Sequence, residues 1–246
     1  MTRVSGYYIK AARCCGARYS MPRYRSINLL ASGLWTDGFR ENSLMPNDHG
    51  LRRCKCGNFL LKSELITVSE ADETDQPSPH LVPTADLPLA IAHARNPAIE
   101  TAARLDLWQH LNHSYRDQYR AHREAEDAAT EAAWEVANSD KRTTLQKLFK
   151  VERKPLYQPA LERPITFPVF EPSPQQRENM SALLDLTESV GGRNTLQRVE
   201  LRRELGQFEA ARQLLATTST SESSSFQKVS ASLIERRQAA PARYAL

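Results

Sequence analysis

Four cysteines are the residues of this sequence best suited to chemistry, and they occur in two pairs. Cys14 and Cys15 are adjacent, Cys54 and Cys56 are separated by one residue, and glycine follows each pair. Glycine permits a tight turn that aims two thiolates at one point, and two such turns supply four sulfur ligands. The sequence therefore predicts a structural Zn²⁺ site formed by Cys14, Cys15, Cys54 and Cys56, without the open coordination position that a catalytic site keeps.

The spacing within each pair is irregular for such a site, and it leaves alternatives open. Adjacent residues tend to point apart, so Cys14 and Cys15 need an unusual turn to bind one ion, and His49 could replace Cys14. Cys54 and Cys56 fit more easily, because alternate residues of an extended strand share a face. In a second interpretation the module folds without metal and keeps its thiols as small core residues. A disulfide is the third possibility.

Short strands must position these cysteines. The runs Tyr7-Tyr8-Ile9 and Phe59-Leu60-Leu61 predict brief strands, and Trp35-Thr36-Asp37-Gly38 predicts a turn. A β module of this size is too small to be held by its core alone, so it needs a staple.

The order of these features resembles a known arrangement. A Cys-Gly cluster, the segment 24–28, the Trp35-Thr36-Asp37-Gly38 turn, Pro46 and a second Cys-Gly cluster follow one another. This pattern resembles a zinc ribbon over roughly residues 7–65, and more widely a set of uncharacterised bacterial proteins in which a zinc ribbon joins a helical tail. A ribbon normally has two residues between the cysteines of a knuckle, and here there are none and one. The resemblance implies an architecture and little about activity.

Helical patterns dominate the rest of the chain. Asn96 before Pro97 predicts a helix start, as does Ser173 before Pro174. The first of these opens a long helical region to about Ser139. Its predicted apolar face comprises Leu105, Trp108, Leu111, Tyr115 and Tyr119.

A second helical pattern lies near the C-terminus of the sequence. The segment 201–211 resembles the turn of a tetratricopeptide-like helical hairpin, with Phe208 at the crossing. No 34-residue recurrence is clear upstream, and an ordinary helical hairpin is an equally good interpretation.

Together these patterns predict an α+β protein in which a small β-rich, zinc-ribbon-like head precedes a mainly α-helical tail. The predicted divisions are a zinc-ribbon-like β module at 1–68, a linker at 69–95, a helical segment at 96–150, a proline-rich connection at 151–172 and a tetratricopeptide-like helical hairpin region at 173–246.

Positive charge is concentrated in the predicted head. Residues 1–63 hold eleven Lys and Arg against three Asp and Glu, a net charge of +8, so the overall net charge of +4 leaves −4 for the remainder. The basic residues that interleave with Tyr19, Tyr24 and Trp35 are Arg13, Arg18, Arg23, Arg25, Arg52, Arg53 and Lys55. Such a mixture suits phosphate contacts and base stacking, so these residues are candidates for binding nucleic acid.

Patterns of enzymatic chemistry are weak. No serine lies in a Gly-x-Ser-x-Gly turn, and Gly191-Gly192 lacks the Lys-Ser/Thr of a phosphate loop. A stripe of acids and histidines at helical spacing is most simply a solvated face. That stripe comprises Asp106, His110, His113 and Asp117.

The expected function is therefore a non-enzymatic adaptor or scaffold that uses head and tail for protein–protein interaction. The alternative is nucleic-acid binding through the basic, aromatic-rich head. No apolar stretch reaches the length of a membrane helix, the first residues lack a signal-peptide pattern, and no small-molecule substrate is evident. A cytoplasmic location is expected, and there cysteines more often serve as thiols or metal ligands than as disulfides.

Overall fold

The computed structural model describes residues 2–28, 30–43, 48–137, 168–190, 194–218 and 224–244. Over these residues the chain is a mixed α+β protein with small antiparallel sheets and helices, in agreement with the predicted fold class. The chain divides into two units, one formed by Met1–Asn112 with Glu171–Leu246 and the other by His113–Phe170. An arrangement of separate head and tail is not confirmed.

The strands and helices follow one another in a simple order. The strands are β1 (Arg3–Ala11), β2 (Arg18–Ser26), β3 (Gly33–Trp35), β4 (Arg40–Glu41), β5 (Leu51–Arg53), β6 (Phe59–Leu61), β7 (Ile66–Ala71), β8 (His80–Leu81) and β9 (Arg243–Tyr244). The α-helices are α1 (Leu87–Ala92), α2 (Pro97–Leu111), α3 (His113–Ala137), α4 (Pro174–Val190), α5 (Thr195–Glu204), α6 (Phe208–Ala216) and α7 (Ser224–Glu235). Two short 3₁₀ turns cover Lys62–Glu64 and Thr84–Asp86.

Three small antiparallel sheets organise the first unit. Their strand orders are β2-β1-β7, β4-β3-β9 and β6-β5-β8. The β1–β2 hairpin carries the first cysteine pair in its turn, and the β5–β6 hairpin carries the second pair. In the remaining sheet Leu34 pairs with Tyr244, so the C-terminal strand lies beside the segment that holds the predicted Trp35–Gly38 turn. That turn is present, with the Gly38 N–H bonded to the Trp35 carbonyl at 2.8 Å.

The β5–β6 hairpin packs directly on helices. Leu51 and Phe59 share one buried cluster with Leu87 of α1 and with Ile99 and Leu107 of α2. Burial of apolar side chains between strands and helices is the main favourable term in such a fold. The helices that follow the second cysteine pair therefore support the hairpin that carries it.

Residues 69–95, for which the sequence predicts a linker, contain regular structure. They include the end of β7, all of β8, a 3₁₀ turn and α1. The Ser20 N–H donates to the Pro77 carbonyl at 2.9 Å, and the Ser20 hydroxyl donates to the Gln76 carbonyl at 2.7 Å. This stretch is thus bonded to β2.

Both predicted helix starts have the expected caps. Asn96 Oδ1 accepts the Ile99 N–H at 2.9 Å. Ser173 Oγ accepts the Gln176 N–H at 3.2 Å, and Gln176 Oε1 accepts the Ser173 N–H at 2.8 Å, which completes a capping box. The long helical region is interrupted at Asn112, where α2 ends before α3 begins.

Some predictions fall on residues outside the described part of the chain. These are Pro46, Ser139, most of the proline-rich connection, and Gly191-Gly192.

The second unit is built on α3. The Tyr115 hydroxyl donates to the Pro168 carbonyl at 3.4 Å, and its ring meets Phe170 edge to face with centroids 5.1 Å apart. On the same helix His113 Nε2 lies 3.5 Å from Asp117. Asp106 and His110 belong to the first unit, where Asp106 bonds to His49. None of the described helices is both long and apolar enough to cross a membrane.

Candidate metal centre

The four cysteine sulfurs converge on one point of the first unit. Their Sγ atoms all lie within 4.8 Å of one another, and they form the one group of three or more potential metal ligands found among the described residues. Cys14 Sγ lies 3.9 Å from Cys15, 3.5 Å from Cys54 and 3.4 Å from Cys56, and Cys15 lies 3.3 Å from Cys54. These separations are too long for a disulfide bond, and all four cysteines are free. The cluster could hold a metal ion.

A single helical turn allows Cys14 and Cys15 to reach the same point. The Gly16 N–H donates to the Ala12 carbonyl at 2.8 Å, an i to i+4 bond, and the Ala12 N–H donates to the Ala17 carbonyl at 2.9 Å. Successive side chains of a helical turn diverge by about 100°, whereas those of a strand alternate between opposite faces. Gly16 has φ of +70°, a conformation that glycine adopts at little cost. We call residues 12–17 the first cysteine turn.

Residues 54–58 form the second cysteine turn. The Cys54 N–H donates to the Asn58 carbonyl at 2.8 Å, and the Gly57 N–H donates to the Cys54 carbonyl at 2.9 Å, with Gly57 at φ +88°. Cys54 and Cys56 therefore lie in a turn after β5, and not on the extended strand that the sequence suggests. This turn brings both sulfurs to the cluster, as the predicted strand would have done.

Backbone N–H groups stabilise the thiolates in a repeated pattern. Cys15 accepts the N–H of Ala17, Cys54 accepts that of Cys56, and Cys56 accepts that of Asn58. In each case the donor lies two residues after the sulfur. Hydrogen bonds to the charged form favour that form, but only in the second turn are the pKa values of both cysteines lowered, whereas those of Cys14 and Cys15 are raised.

Tyr19 is a partner of the cluster that the sequence analysis did not assign to it. Its side chain is fully buried, its hydroxyl donates to Cys54 Sγ at 3.3 Å, and the same oxygen accepts the Lys55 N–H at 2.8 Å. It packs with Ala12, Leu60 and Leu65 beneath the two cysteine turns. The sequence signal was its place at the start of β2, close after the first cysteine pair.

The four thiols differ in burial and acidity. Burial of Cys54 opposes ionisation, but the donors Tyr19 and the Cys56 N–H outweigh it and lower the pKa of Cys54 to about 6. The Asn58 N–H lowers the pKa of Cys56. Desolvation raises the pKa of Cys14 to about 12. Cys15 and Cys56 are exposed, so half of the cluster faces solvent.

The structure thus brings together all four of the predicted ligands. His49, the alternative ligand, lies outside the cluster, and its Nδ1 is 2.6 Å from Asp106 Oδ1.

Three of the basic residues predicted for nucleic acid are paired with carboxylates. Arg23 bonds to Glu70, buried Arg52 lies 3.1 Å from Asp48, and Arg53 lies 2.8 Å from Asp86. The other four are exposed and have no carboxylate partner among the described residues. They are Arg13, Arg18, Arg25 and Lys55. Two of the three predicted stacking rings, Tyr19 and Trp35, are fully buried.

A second polar group, buried in the same unit, was missed by the sequence analysis. Glu204 accepts the Trp108 Nε1–H at 2.8 Å and the Asn112 amide at 3.2 Å, and the same amide lies 3.2 Å from Asp37 Oδ2. Arg203 pairs with Glu200 nearby. The pKa of Glu204 is raised well above its usual range, because the carboxyl is fully desolvated and lies near Glu200 and Asp37, and Arg203 offsets this only in part.

No protein-family model matches the chain, and no curated protein and no solved structure matches it.

Proposed function

We propose that the four cysteines hold one structural Zn²⁺ ion. The observation that carries this proposal is the set of sulfur separations. Zinc–thiolate bonds of about 2.3 Å in a tetrahedron place the sulfurs about 3.8 Å apart. Four of the six separations span 3.3 Å to 3.9 Å, close to the edges of that tetrahedron, and the other two are no longer than 4.8 Å.

Zinc at this position joins the first and second cysteine turns, which are 40 residues apart between Cys14 and Cys54. The unfolded chain does not hold the four sulfurs together. The free energy of zinc binding therefore adds to the free energy of folding, and it is on the order of 10 kcal/mol. Four protein ligands leave no coordination position for water or substrate, so the site acts as a staple and not as a catalyst.

On this basis we propose a non-enzymatic adaptor, in which the zinc-stapled sheets and the helices present surfaces to a protein partner. The α5–α6 hairpin supports this function. Val199 of α5 and Ala211 of α6 form its buried side with Ile234 of α7, and Phe208 packs against them, while Glu209 and Arg212 remain exposed. Helical hairpins with a packed inner side and a polar outer side commonly serve as protein-binding surfaces.

The adaptor function is tested by zinc-dependent capture. The full chain and a Cys54→Ser variant are each used as bait, and any protein enriched by the wild type is purified and titrated directly against both. Saturable binding that is lost with the zinc ion supports the proposal. A reproducible hydrolytic or transfer activity that disappears on mutation of a defined pocket contradicts it.

Nucleic-acid binding is the second candidate function. The observation that favours it is a set of four exposed cations that have no carboxylate partner within the described ranges, Arg13, Arg18, Arg25 and Lys55. The burial of Tyr19 and Trp35 removes two stacking surfaces, so the binding would rest mainly on phosphate contacts. Fluorescence anisotropy with labelled single-stranded RNA at several salt concentrations tests it, since phosphate-dominated affinity falls steeply with salt.

A further inference from the structure

A cleft opens beside the first cysteine turn. Its volume is about 410 Å³, and Cys14 forms part of its wall. Its lining includes Leu60 and Leu65, which are almost fully buried, and the exposed residues Arg13 and Arg95. The cleft therefore combines apolar residues with two cations.

Each arginine is placed by a different part of the fold. Arg13 belongs to the first cysteine turn, is exposed, and has no carboxylate partner among the described residues. Arg95 lies between α1 and α2 and is exposed, with Nη2 donating to the Phe59 carbonyl at 3.0 Å. That bond uses part of one guanidinium fork and leaves its other N–H groups for a ligand.

Among the described residues that line the cleft, Glu64 provides the sole carboxylate. One of its oxygens accepts the Leu61 N–H at 2.9 Å, the other accepts the Asn96 amide at 3.0 Å, and Arg95 lies 4.0 Å away. Both Glu64 oxygens thus accept hydrogen bonds, one beside the 3₁₀ turn and one at the start of α2. Two positive groups face one carboxylate whose oxygens already have donors.

The charge of the zinc centre also affects whether an anion can bind beside it. Four thiolates around Zn²⁺ carry a net charge of about −2, which opposes an anion nearby. Arg18, which follows the first cysteine turn, and Lys55, which lies within the second, are exposed cations without carboxylate partners in the described part of the chain. Together with Arg13 and Arg95 they give four positive charges against about −2 for the centre and −1 for Glu64, which leaves a net charge of about +1.

We infer that this cleft binds a carboxylate side chain from an acidic segment of a protein partner. The carboxylate lies between Arg13 and Arg95, in the forked contacts that guanidinium groups make with carboxylates, and the aliphatic stem lies over Leu60 and Leu65. The apolar lining residues Leu60 and Leu65 suit such a stem better than the sugar of a nucleic acid. The inference rests on the proposed adaptor function and names the chemistry of its partner.

The test is a titration of the full-length, zinc-loaded protein with a short fluorescein-labelled peptide of alternating glutamate and alanine. A peptide with glutamine in place of glutamate, and a labelled single-stranded RNA, are the comparison probes. We expect saturable binding of the glutamate peptide alone, weakened about tenfold or more by the double substitution Arg13→Ala and Arg95→Ala, since both guanidinium contacts to the carboxylate are lost. Arg25→Ala is the matched control, because Arg25 is exposed but does not line the cleft.

Zinc content is measured on every variant, so that loss of the staple is not mistaken for loss of the cleft. Absence of saturable peptide binding by the zinc-loaded wild type overturns the inference. So does equal binding by the double variant, or binding of RNA through Arg13 and Arg95 in preference to the peptide. If the purified partner still binds the double variant fully, the adaptor function stands and the cleft is not where it docks.

Discussion

Tyr19 donates its buried hydroxyl to Cys54 Sγ at 3.3 Å while the same oxygen accepts the Lys55 N–H at 2.8 Å. One ring on β2 thereby contacts both a sulfur of the cysteine cluster and the backbone of the second cysteine turn. Burial and the bond to Cys54 raise the pKa of Tyr19 to about 12, so the hydroxyl remains a donor throughout the neutral range. Partners of this kind orient metal ligands and tune their basicity.

Replacement of Tyr19 by Phe should weaken zinc binding by about 10- to 100-fold, the usual effect of losing such a partner. The substitution removes the donor to Cys54 and leaves the Lys55 N–H without its acceptor, while the ring still fills the core. Competition with a chromophoric chelator measures the affinity. Tyr24→Phe on the same strand is the control and should bind zinc as the wild type does. Equal affinities for the wild type and Tyr19→Phe would show that the hydroxyl does not act on the centre.

The pH dependence of zinc affinity should steepen below about pH 6. Zinc requires thiolates, so each proton displaced from the metal-free cluster costs a factor of about ten in affinity per pH unit. Near pH 7 Cys14, with its pKa raised to about 12, still holds its proton, whereas Cys54, with its pKa lowered to about 6, has largely lost its own. Below pH 6 Cys54 also becomes protonated, and the slope of log affinity against pH should rise by about one. A slope that stays constant from pH 5 to pH 8 would contradict this.

Glu204→Gln should gain stability relative to the wild type as the pH rises above about 4.5, the ordinary pKa of a glutamate. Because the pKa of Glu204 is raised in the folded protein, Glu204 loses its proton at a lower pH in the unfolded chain. The contribution of Glu204 to stability is therefore present at low pH and declines as the pH rises toward the folded-state pKa. The wild type loses up to about 1.4 kcal/mol per pH unit in that window, and the glutamine variant does not. The amide oxygen of glutamine can still accept the Trp108 N–H.

Chemical denaturation of both proteins at pH 5, 7 and 9 measures this difference. Glu209→Gln is the matched control, because Glu209 is exposed and should give a difference that changes little with pH. Parallel stability curves for the wild type and Glu204→Gln would mean that Glu204 ionises normally in the folded protein.

A fragment that begins at Asn96 should fail to unfold cooperatively. In the full chain the buried face of α2, with Ile99 and Leu107, packs against Leu51 and Phe59, which this fragment lacks. Circular dichroism during heating compares the fragment with the full chain. A fragment with full helicity and a sharp transition would instead support the predicted boundary between head and tail.

Local patterns in the sequence were enough for much of the fold. The caps Asn96 and Ser173 are visible because each precedes a proline and its oxygen is needed by the first helical turn. The pairing of β3 with β9 has no such local signal, since Leu34 and Tyr244 are 210 residues apart in the chain and their contact depends on how the helices between them pack. The burial of Glu204 could not be predicted from the sequence either, because a glutamate in a helix is usually a surface residue.

The candidate site was predictable in its ligands but not in its geometry. Two cysteine pairs, each followed by glycine, identify the four sulfurs in the sequence. Adjacent residues of an extended strand point apart, so the sequence does not explain how Cys14 and Cys15 converge. They converge because Gly16 closes an i to i+4 turn, which the spacing alone does not specify. Proximity to the first cysteine pair favours Tyr19 over Tyr24 in the sequence, but the burial of Tyr19 and its bond to Cys54 are visible only in the structure.

The most direct test of the zinc staple is the metal content of freshly purified protein, combined with unfolding in the presence and absence of a strong chelator. We predict one zinc ion per chain and a large loss of stability on chelation, because structural zinc contributes folding free energy on the order of 10 kcal/mol. Cys54→Ser should show the same loss without chelator. Protein that is purified without metal under reducing conditions, does not bind added zinc, and unfolds identically with and without the chelator would contradict the account.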